Sequence, residues 1–179
     1  MLNKRKISII GGAGHVGFPL GLIFSSKGFE VNLIDKDLKN SKKINSGISP
    51  FLEEGSQSLL RKMLKKKKIK ATNDLKNVKD SKFIIICIGT PIDNSLSPEI
   101  KNFLNFFKIL KKHINRDHQI IIRSSVYPGI CEKVFNIIKN KTSNLSYCPE
   151  RIVQGKSIKE LPNISQLVSG KNFSSIKQA

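Results

Sequence analysis

Glycines interrupt the first apolar segment of the chain at short intervals, in "KISIIGGAGHVGFPLG", which runs from Lys6 to Gly21. A secretory signal peptide and a membrane-spanning helix both need an apolar core without such interruptions. This segment carries five glycines, a histidine and a proline, and no cleavage site of the A-x-A type follows it. We therefore expect neither a signal peptide nor a membrane span, and the glycines indicate a fold that needs them where they stand.

Three of the glycines, Gly12, Gly14 and Gly17, have the spacing G-x-G-x-x-G directly after the strand-like run "KISII". In a dinucleotide-binding turn the first glycine permits the tight turn from strand to helix. The second lets a pyrophosphate approach the backbone, and the third lets the helix pack closely on the strand. The helix N-terminus then offers N–H groups and the positive end of its dipole to the phosphates. His15 and Val16, which lie inside this turn, are expected beside the cofactor.

The residues after the turn strengthen this interpretation, because a single G-x-G-x-x-G is a weak signal. "HVGFPLGLIFSSKG" predicts a helix that ends at Gly28, and "FEVNLID" predicts a second strand that ends at Asp35. An acidic residue at this place in a strand-helix-strand unit accepts hydrogen bonds from the adenine ribose and repels a 2′-phosphate. The prediction is NAD rather than NADP as cofactor, a preference that Lys36 softens. In the alternative, Asp35 only caps the next helix.

Helical and strand patterns continue to alternate along the rest of the chain, without an internal repeat or a flexible linker. Further helices are predicted at 39–47, 56–68, about 98–113 and 129–139, and further strands at 82–91, 119–125, 145–148 and 165–170. This alternation predicts an α/β fold, a Rossmann-like, doubly wound and mostly parallel sheet with helices on both faces, as one domain over residues 1–179. Ligands of such sheets gather at the carboxyl ends of the strands. The segments "GTP" (Gly89–Pro91), "SSVYPG" (Ser124–Gly129) and "CPER" (Cys148–Arg151) are therefore of interest.

The chain is strongly basic, with 32 lysines and arginines against 13 aspartates and glutamates and a formal charge of +19. Such a charge raises the possibility of a nucleic-acid partner. Lysine, asparagine and isoleucine are frequent along the whole chain, however, as AT-rich codon usage would produce. The densest basic run, "RKMLKKKKIK" (Arg61 to Lys70), also lacks interleaved aromatic residues. A basic field equally suits an enzyme with anionic nucleotide ligands, so we expect no nucleic-acid partner.

Cysteines and histidines show no metal-site pattern. The three cysteines, Cys87, Cys131 and Cys148, form neither a C-x-x-C nor a Cys/His ligand spacing, and their odd number argues against a disulfide framework. We expect no metal and a cytoplasmic protein, with the three cysteines as small packing residues. His113 and His118 flank a helix-to-strand turn and are predicted to be solvated.

The motifs, taken in order, resemble the N-terminal domain of the UDP-glucose/GDP-mannose dehydrogenase family. The matching pieces are "GGAGHVGFPLG", "LIDKD", "KINSG", "IGTPID", "SSVYPG" and "CPERIVQGKSIKELPNISQLVSG". Together they cover nearly the whole chain. The last piece most resembles the branch that oxidises UDP-N-acetylmannosamine and is less similar to the UDP-glucose branch.

The resemblance implies an NAD-dependent oxidation of C6 of a UDP-sugar, from alcohol through aldehyde to carboxylate, with two NAD used in turn. It also implies a cysteine nucleophile that holds the aldehyde as a thiohemiacetal, with a lysine and an asparagine nearby. These three belong to a helical middle region, and the sequence ends at Ala179 before reaching it. We therefore expect the central and C-terminal domains to be absent and this piece alone to be inactive, while the full-length protein would be a homodimer. The alternative is a stand-alone NAD-binding module or a degenerate fragment.

The resemblance also assigns roles to residues near the strand ends. Thr90 matches a position near the cofactor, and Ser125 stands where the family commonly has a threonine that orders a catalytic water beside the cofactor. Glu150 matches a glutamate for water activation or proton handling. Where the UDP-glucose branch has a further glutamate, this chain has Gln154. Alternatively, Ser125 is a helix cap or turn residue, and Glu150 pairs with Arg151 or a lysine.

Overall fold

The computed structural model describes residues 2–89, 100–151 and 155–179. Among these residues, seven strands form one sheet in the order β3-β2-β1-β4-β5-β6-β7. The strands are β1 (Asn3–Ile10), β2 (Glu30–Ile34), β3 (Ile69–Thr72), β4 (Ser81–Ile86), β5 (Gln119–Ile122), β6 (Leu145–Tyr147) and β7 (Ser169–Gly170). The helices are α1 (Gly17–Ser26), α2 (Leu38–Asn45), α3 (Ser56–Lys65), α4 (Ile100–Leu110), α5 (Ile130–Ile138), α6 (Ser157–Glu160) and α7 (Phe173–Gln178), with a 3-10 helix at Leu75–Asp80.

Neighbouring strands from β3 to β6 pair in parallel, and β7 pairs with β6 antiparallel. Strand order runs outward from β1 to β3 on one side and from β4 to β6 on the other, so the chain reverses direction across the sheet between β1 and β4. This is the doubly wound, Rossmann-like arrangement that the sequence predicted, and its ligand crevice lies at that reversal, beyond the carboxyl ends of β1 and β4.

Helices cover both faces of the sheet, which gives the domain two apolar layers. On one face, α1 and α3 pack on β1 and β2 around the fully buried Phe18 and Leu60. On the other face, α4 and α5 pack on β4 and β5 around Phe107 and Val134, which are also fully buried. Strands enclosed on both sides need no polar face, and the isoleucine-rich sequences of β4 and β5 follow from that.

Several short elements differ from the prediction. β3, α6, α7 and the 3-10 helix were not predicted, because each is at most six residues long and shows too little periodicity. The strand predicted over 165–170 is reduced to Ser169–Gly170. His118 was predicted to be solvated and is buried instead, with its ring within hydrogen-bond distance of Asn115 and the carbonyl of Val78.

Within the three described ranges, no helix combines the length and the apolar character needed to cross a bilayer.

Candidate functional site

The glycine turn begins at the carboxyl end of β1, between β2 and β4. Gly11 has a φ of +76°, and a Cβ on it would lie 2.8 Å from the carbonyl carbon of Cys87 at the end of β4. Its N–H donates to the carbonyl of Ile34 at 2.9 Å. Gly11 is therefore required for the turn, and the sequence analysis missed it because the G-x-G-x-x-G spacing begins one residue later.

The three predicted glycines serve two different steric purposes. A Cβ on Gly12 would lie 2.7 Å from the Cα of Leu33, and one on Gly17 would lie 2.8 Å from the Cα of Gly12. These two positions hold the turn and α1 against the strands. A Cβ on Gly14 would have one close neighbour, the Gly11 carbonyl oxygen at 3.3 Å, so this position is less crowded than the other two. A side chain there would fill the space that a pyrophosphate needs, and the turn therefore fits NAD.

Asp35 follows β2, and its carboxylate links the glycine turn to the segment before α2 by two hydrogen bonds. One carboxylate oxygen accepts from the N–H of Ala13 at 3.0 Å, and the other accepts from the N–H of Asp37 at 3.0 Å. The cap of α2 is Asp37, which accepts from the N–H of Asn40 at 2.9 Å. The alternative that Asp35 only caps the next helix is therefore wrong.

A cleft of about 660 Å³ opens beside the turn and the end of β4. Its polar side includes Asp35, Lys36 and Asn73, and its apolar side includes Leu75 and, from α4, Phe106. The remaining lining residues are Ile10, Gly11, Gly14, Ile34, Cys87, Ile88, Gly89, Asn102 and Phe103. A cleft lined by both apolar side chains and a carboxylate fits a purine nucleoside, with the flat base against the apolar side chains and the ribose hydroxyls at the carboxylate. Sequence reasoning missed these apolar side chains, because they come from the unpredicted 3-10 helix and from a helix face that reads as core.

His15 and Val16 are the last two residues of the turn before α1, and their contact with the cofactor stays a prediction. The exposed ring of His15 stacks on Phe51, with centroids 3.9 Å apart, and Phe51 meets Phe18 edge-on at 5.6 Å. Val16 is the N-cap of α1 and provides no side-chain cap. The first N–H groups of a helix without such a cap can be satisfied by a ligand.

Glu150 lies beyond β6, in an ion pair with Arg123 from the end of β5. The Arg123 Nε to Glu150 Oε2 distance is 2.9 Å, and the side chains are 7% and 13% exposed. Arg123 also donates to Gln166 Oε1 at 2.7 Å, and Glu150 Oε1 accepts from the backbone N–H of Arg151 at 2.8 Å. The ion pair that the described residues give to Glu150 is thus with Arg123, where the sequence indicated Arg151 or a lysine as the alternative. Burial raises the pKa of the Cys87 thiol to about 12. The charge of Arg123 lowers this pKa and the charge of Glu150 raises it, and both effects are smaller than that of burial.

The three thiols are all unsuited to nucleophilic attack at neutral pH. Burial raises the pKa of Cys131 to about 11, and it raises the pKa of Cys148 as well. Cys148 belongs to the apolar core. Cys87 and Cys131 are partly buried and pack against the two cores. The three cysteines are therefore packing residues, as predicted.

Two serines, Ser124 and Ser125, follow the carboxyl end of β5. Ser125 is exposed in the segment between β5 and α5, and the N-cap of α5 is Gly129, so Ser125 is not a helix cap. Its neighbour Ser124 is buried and donates to the carbonyl of Ile86 at 3.2 Å. The water-ordering role of Ser125 stays a prediction. Thr90 and Gln154 lie outside the described residues.

Comparisons with known proteins agree with this geometry. The UDP-glucose/GDP-mannose dehydrogenase family, NAD binding domain, matches residues 5–179. The chain is 28% identical over 172 residues to the UDP-N-acetyl-D-mannosamine dehydrogenase of Pyrococcus horikoshii, covering 92% of this chain and 41% of that protein. It is 29% identical over 164 residues to the UDP-glucose 6-dehydrogenase of Rickettsia felis, covering 90% of this chain and 37% of that protein.

Solved structures show the same likeness. The UDP-D-ManNAc dehydrogenase of Pyrococcus horikoshii superimposes with a TM-score of 0.88 at 27% identity, over 95% of this chain and 42% of that one. The GDP-mannose dehydrogenase of Pseudomonas aeruginosa shares the fold, with a TM-score of 0.85 at 24% identity, over 94% of this chain and 42% of that one. The chain thus spans about two fifths of the length of these relatives. With the match over residues 5–179 and the glycine turn in place, the chain belongs to the UDP-glucose/GDP-mannose dehydrogenase family, as an NAD-binding domain.

Proposed function

We propose that this chain is the cofactor-binding part of an NAD-dependent dehydrogenase that oxidises C6 of a UDP-sugar to the carboxylate. The observation that carries the proposal is the glycine turn, in which Gly14 is the least crowded of the three motif glycines and lines the same cleft as the Asp35 carboxylate. For the sugar we propose UDP-N-acetylmannosamine. The sequence "CPERIVQGK" followed by "ELPNISQLVSG" supports this choice, and the relatives include enzymes named for that sugar and for UDP-glucose.

NAD supplies the hydride acceptor for both oxidation steps when it is bound. The backbone of the glycine turn would hold the pyrophosphate, and Asp35 would accept hydrogen bonds from the adenine ribose. Leu75 and Phe106 would exclude water from the faces of the adenine. Each of these groups belongs to a rigid element or to a turn tied to one, which favours a cofactor held in a single orientation.

Glu150 is proposed to orient the water that enters in the second oxidation, with the Ser125 hydroxyl as the second hydrogen-bond partner of that water. The Arg123 guanidinium at 2.9 Å compensates the carboxylate charge and fixes its direction. Since one carboxylate oxygen faces Arg123 and the other accepts from the Arg151 N–H, the carboxylate has little freedom to rotate. Arg123 is thus a positioning residue for Glu150.

The oxidation also needs a reactive thiolate, and the environments of Cys87, Cys131 and Cys148 provide none. We propose that the 179 residues bind NAD without completing the oxidation, and that the thiol comes from another part of the enzyme. We further propose a homodimer for the whole enzyme, from the family resemblance. A cytoplasmic location is also proposed, since the three cysteines are free.

Calorimetric titration of the chain with NAD and with NADP tests the binding step, and NADH absorbance in the presence of each UDP-sugar tests turnover. We expect NAD to bind more tightly than NADP and no NADH to form. A Gly14→Ala variant is the matched control for specific binding. Failure to bind NAD would refute the proposed function, and multiple turnovers of a UDP-sugar would refute the incompleteness of the site. Binding of NAD without any UDP-sugar binding would instead indicate a stand-alone NAD module.

A further inference from the structure

Glu53 is a buried carboxylate outside the cofactor cleft, and it is 5% exposed. Its Oε2 accepts from the N–H of Gly155 at 3.0 Å and from the hydroxyl of Ser157 at 3.3 Å, and its Oε1 accepts from the N–H of Ile158 at 3.2 Å. The neighbouring N–H of Glu54 donates back to the carbonyl of Gly155 at 3.1 Å. A buried carboxylate is tolerated only with such partners, so this position is built to hold the backbone of residues 155–158.

The segment that carries Glu53 also contacts the glycine turn. We call residues 48–55 the bridging segment. Its Phe51 stacks on His15 at 3.9 Å, two residues before Glu53. The Ser49 hydroxyl lies 2.8 Å from that of Ser56, and the Ser49 N–H donates to Gln57 at 3.0 Å, so the segment is fastened to α3. The bridging segment therefore joins the cofactor turn on one side to residues 155–158 on the other.

We propose that Glu53 is a positioning residue that couples NAD binding at the glycine turn to the ordering of residues 155–158. His15 lies in the turn that would hold the pyrophosphate, so a bound cofactor restricts its ring. Because the Phe51 ring is stacked on that of His15, the motion of Phe51 is restricted as well. The carboxylate of Glu53, on the same fastened segment, then holds residues 155–158 more firmly. This places residues 155–158 under the control of the cofactor, and it goes beyond NAD binding itself.

Amide hydrogen exchange by NMR on the 179-residue chain, with and without saturating NAD, tests the coupling. In the unmodified chain we expect NAD to slow exchange at the Gly155 and Ile158 amides by about fivefold or more, the lower range of measured site-to-site coupling. In Glu53→Gln, the protection added by NAD should disappear at both amides. Glu54→Gln is the matched control, because Glu54 is exposed and takes part through its backbone N–H, and it should behave as the unmodified chain does.

Phe51→Leu separates coupling from stability. It removes the ring stacked on His15 and leaves the three bonds of Glu53 in place, so exchange without NAD should stay near that of the unmodified chain while the effect of NAD is lost. A merely structural role for Glu53 would raise exchange equally with and without NAD, and that result would overturn the proposal. Unchanged exchange at Gly155 and Ile158 in a chain that calorimetry shows to bind NAD would also overturn it. Absence of NAD binding would instead refute the proposed function.

Discussion

Two glycines of the same turn should respond in opposite ways to the same substitution. Alanine at Gly17 would bring its Cβ to 2.8 Å from the Cα of Gly12, where carbon atoms prefer about 3.5–4.0 Å. Both atoms belong to backbone, so α1 has to move away from the turn by roughly 0.7 Å or more. Alanine at Gly14 would meet only the Gly11 carbonyl oxygen, at 3.3 Å, and its φ lies outside the left-handed region.

The expected energies follow from these contacts. Overpacking of this kind costs about 1–3 kcal/mol, and a kilocalorie shifts the Tm of a chain of this size by about 2–4 °C. Gly17→Ala should therefore lower the Tm by roughly 2–12 °C. Gly14→Ala should leave the Tm nearly unchanged, because its one close contact, at 3.3 Å, needs a shift of only a few tenths of an ångström, and the smaller conformational freedom of alanine in the unfolded chain, about 0.4–1 kcal/mol, offsets that cost. It should weaken NAD binding by about tenfold or more, because the methyl group occupies the place of the pyrophosphate, and tenfold corresponds to about 1.4 kcal/mol.

Thermal unfolding followed by circular dichroism and calorimetric titration with NAD give the two readouts for each variant. The reasoning requires that stability falls for Gly17→Ala and that NAD affinity falls for Gly14→Ala without a loss of Tm. An equal loss of Tm in both variants would show that Gly14 is a packing residue like Gly17. NAD affinity in Gly14→Ala equal to that of the unmodified chain would show that the cofactor does not approach this position.

Three further predictions concern charged and thiol groups. In Asp35→Asn the side chain can accept only one of the two N–H bonds that Asp35 accepts. Calorimetric titrations should show NAD affinity lower by about tenfold and a smaller preference for NAD over NADP. Asp37→Asn is the control and should change neither, because asparagine is still a good helix cap. Because the pKa of Cys87 is raised from 9.0 to about 12, the folded state retains this proton longer than the unfolded chain, so its contribution to stability is complete below pH 9 and is lost toward pH 12. In Cys87→Ala, the free energy of unfolding measured with urea should therefore fall less steeply between pH 9 and pH 12 than in the unmodified chain. An identical pH dependence in the two proteins would contradict the prediction. Arg123→Met should lower the free energy of unfolding by about 3–5 kcal/mol, because it removes the guanidinium that compensates the buried Glu150 charge. Adding Glu150→Gln should recover part of that loss in urea unfolding, whereas purely additive effects would argue against the pair.

The fold was predictable where the pattern is long and regular. The isoleucine-rich strands are long enough to be recognised as buried strands, and α1, α3 and α5 are long enough for their helical pattern of apolar residues to be recognised. The alternation of strands with helices then predicts the parallel sheet. The end of the chain was less predictable, because β7 has two residues and its pairing with β6 depends on contacts distant in sequence. The burial of His118 was not predictable either. A histidine in a turn is expected to be solvated unless a hydrogen-bond partner for its buried ring is known. Here that partner is the carbonyl of Val78, which is distant in sequence.

The site was predictable where residue type and spacing reflect a backbone requirement, as for Gly12, Gly14 and Gly17. Asp35 was found for the same reason. Partners that meet across the sheet were not: Arg123 precedes Glu150 by a helix and a strand, and the sequence indicated Arg151 or a lysine instead. The Glu53 contacts with residues 155–158 join positions far apart in sequence, and a glutamate in a polar loop gives no signal of burial.

The contact between Gly11 and Cys87 has a consequence for synthesis on the ribosome. The first strand, helix and second strand contain the glycines and Asp35, yet the floor under Gly11 is backbone from β4. β4 and its neighbours must therefore have left the exit tunnel before the turn can close. A nascent chain that has exposed only its first strand-helix-strand unit lacks that floor, so we expect NAD to bind it poorly. NAD protection in pulse-labelled nascent chains should therefore begin when β4 pairs with β1 and should mark that step of sheet assembly.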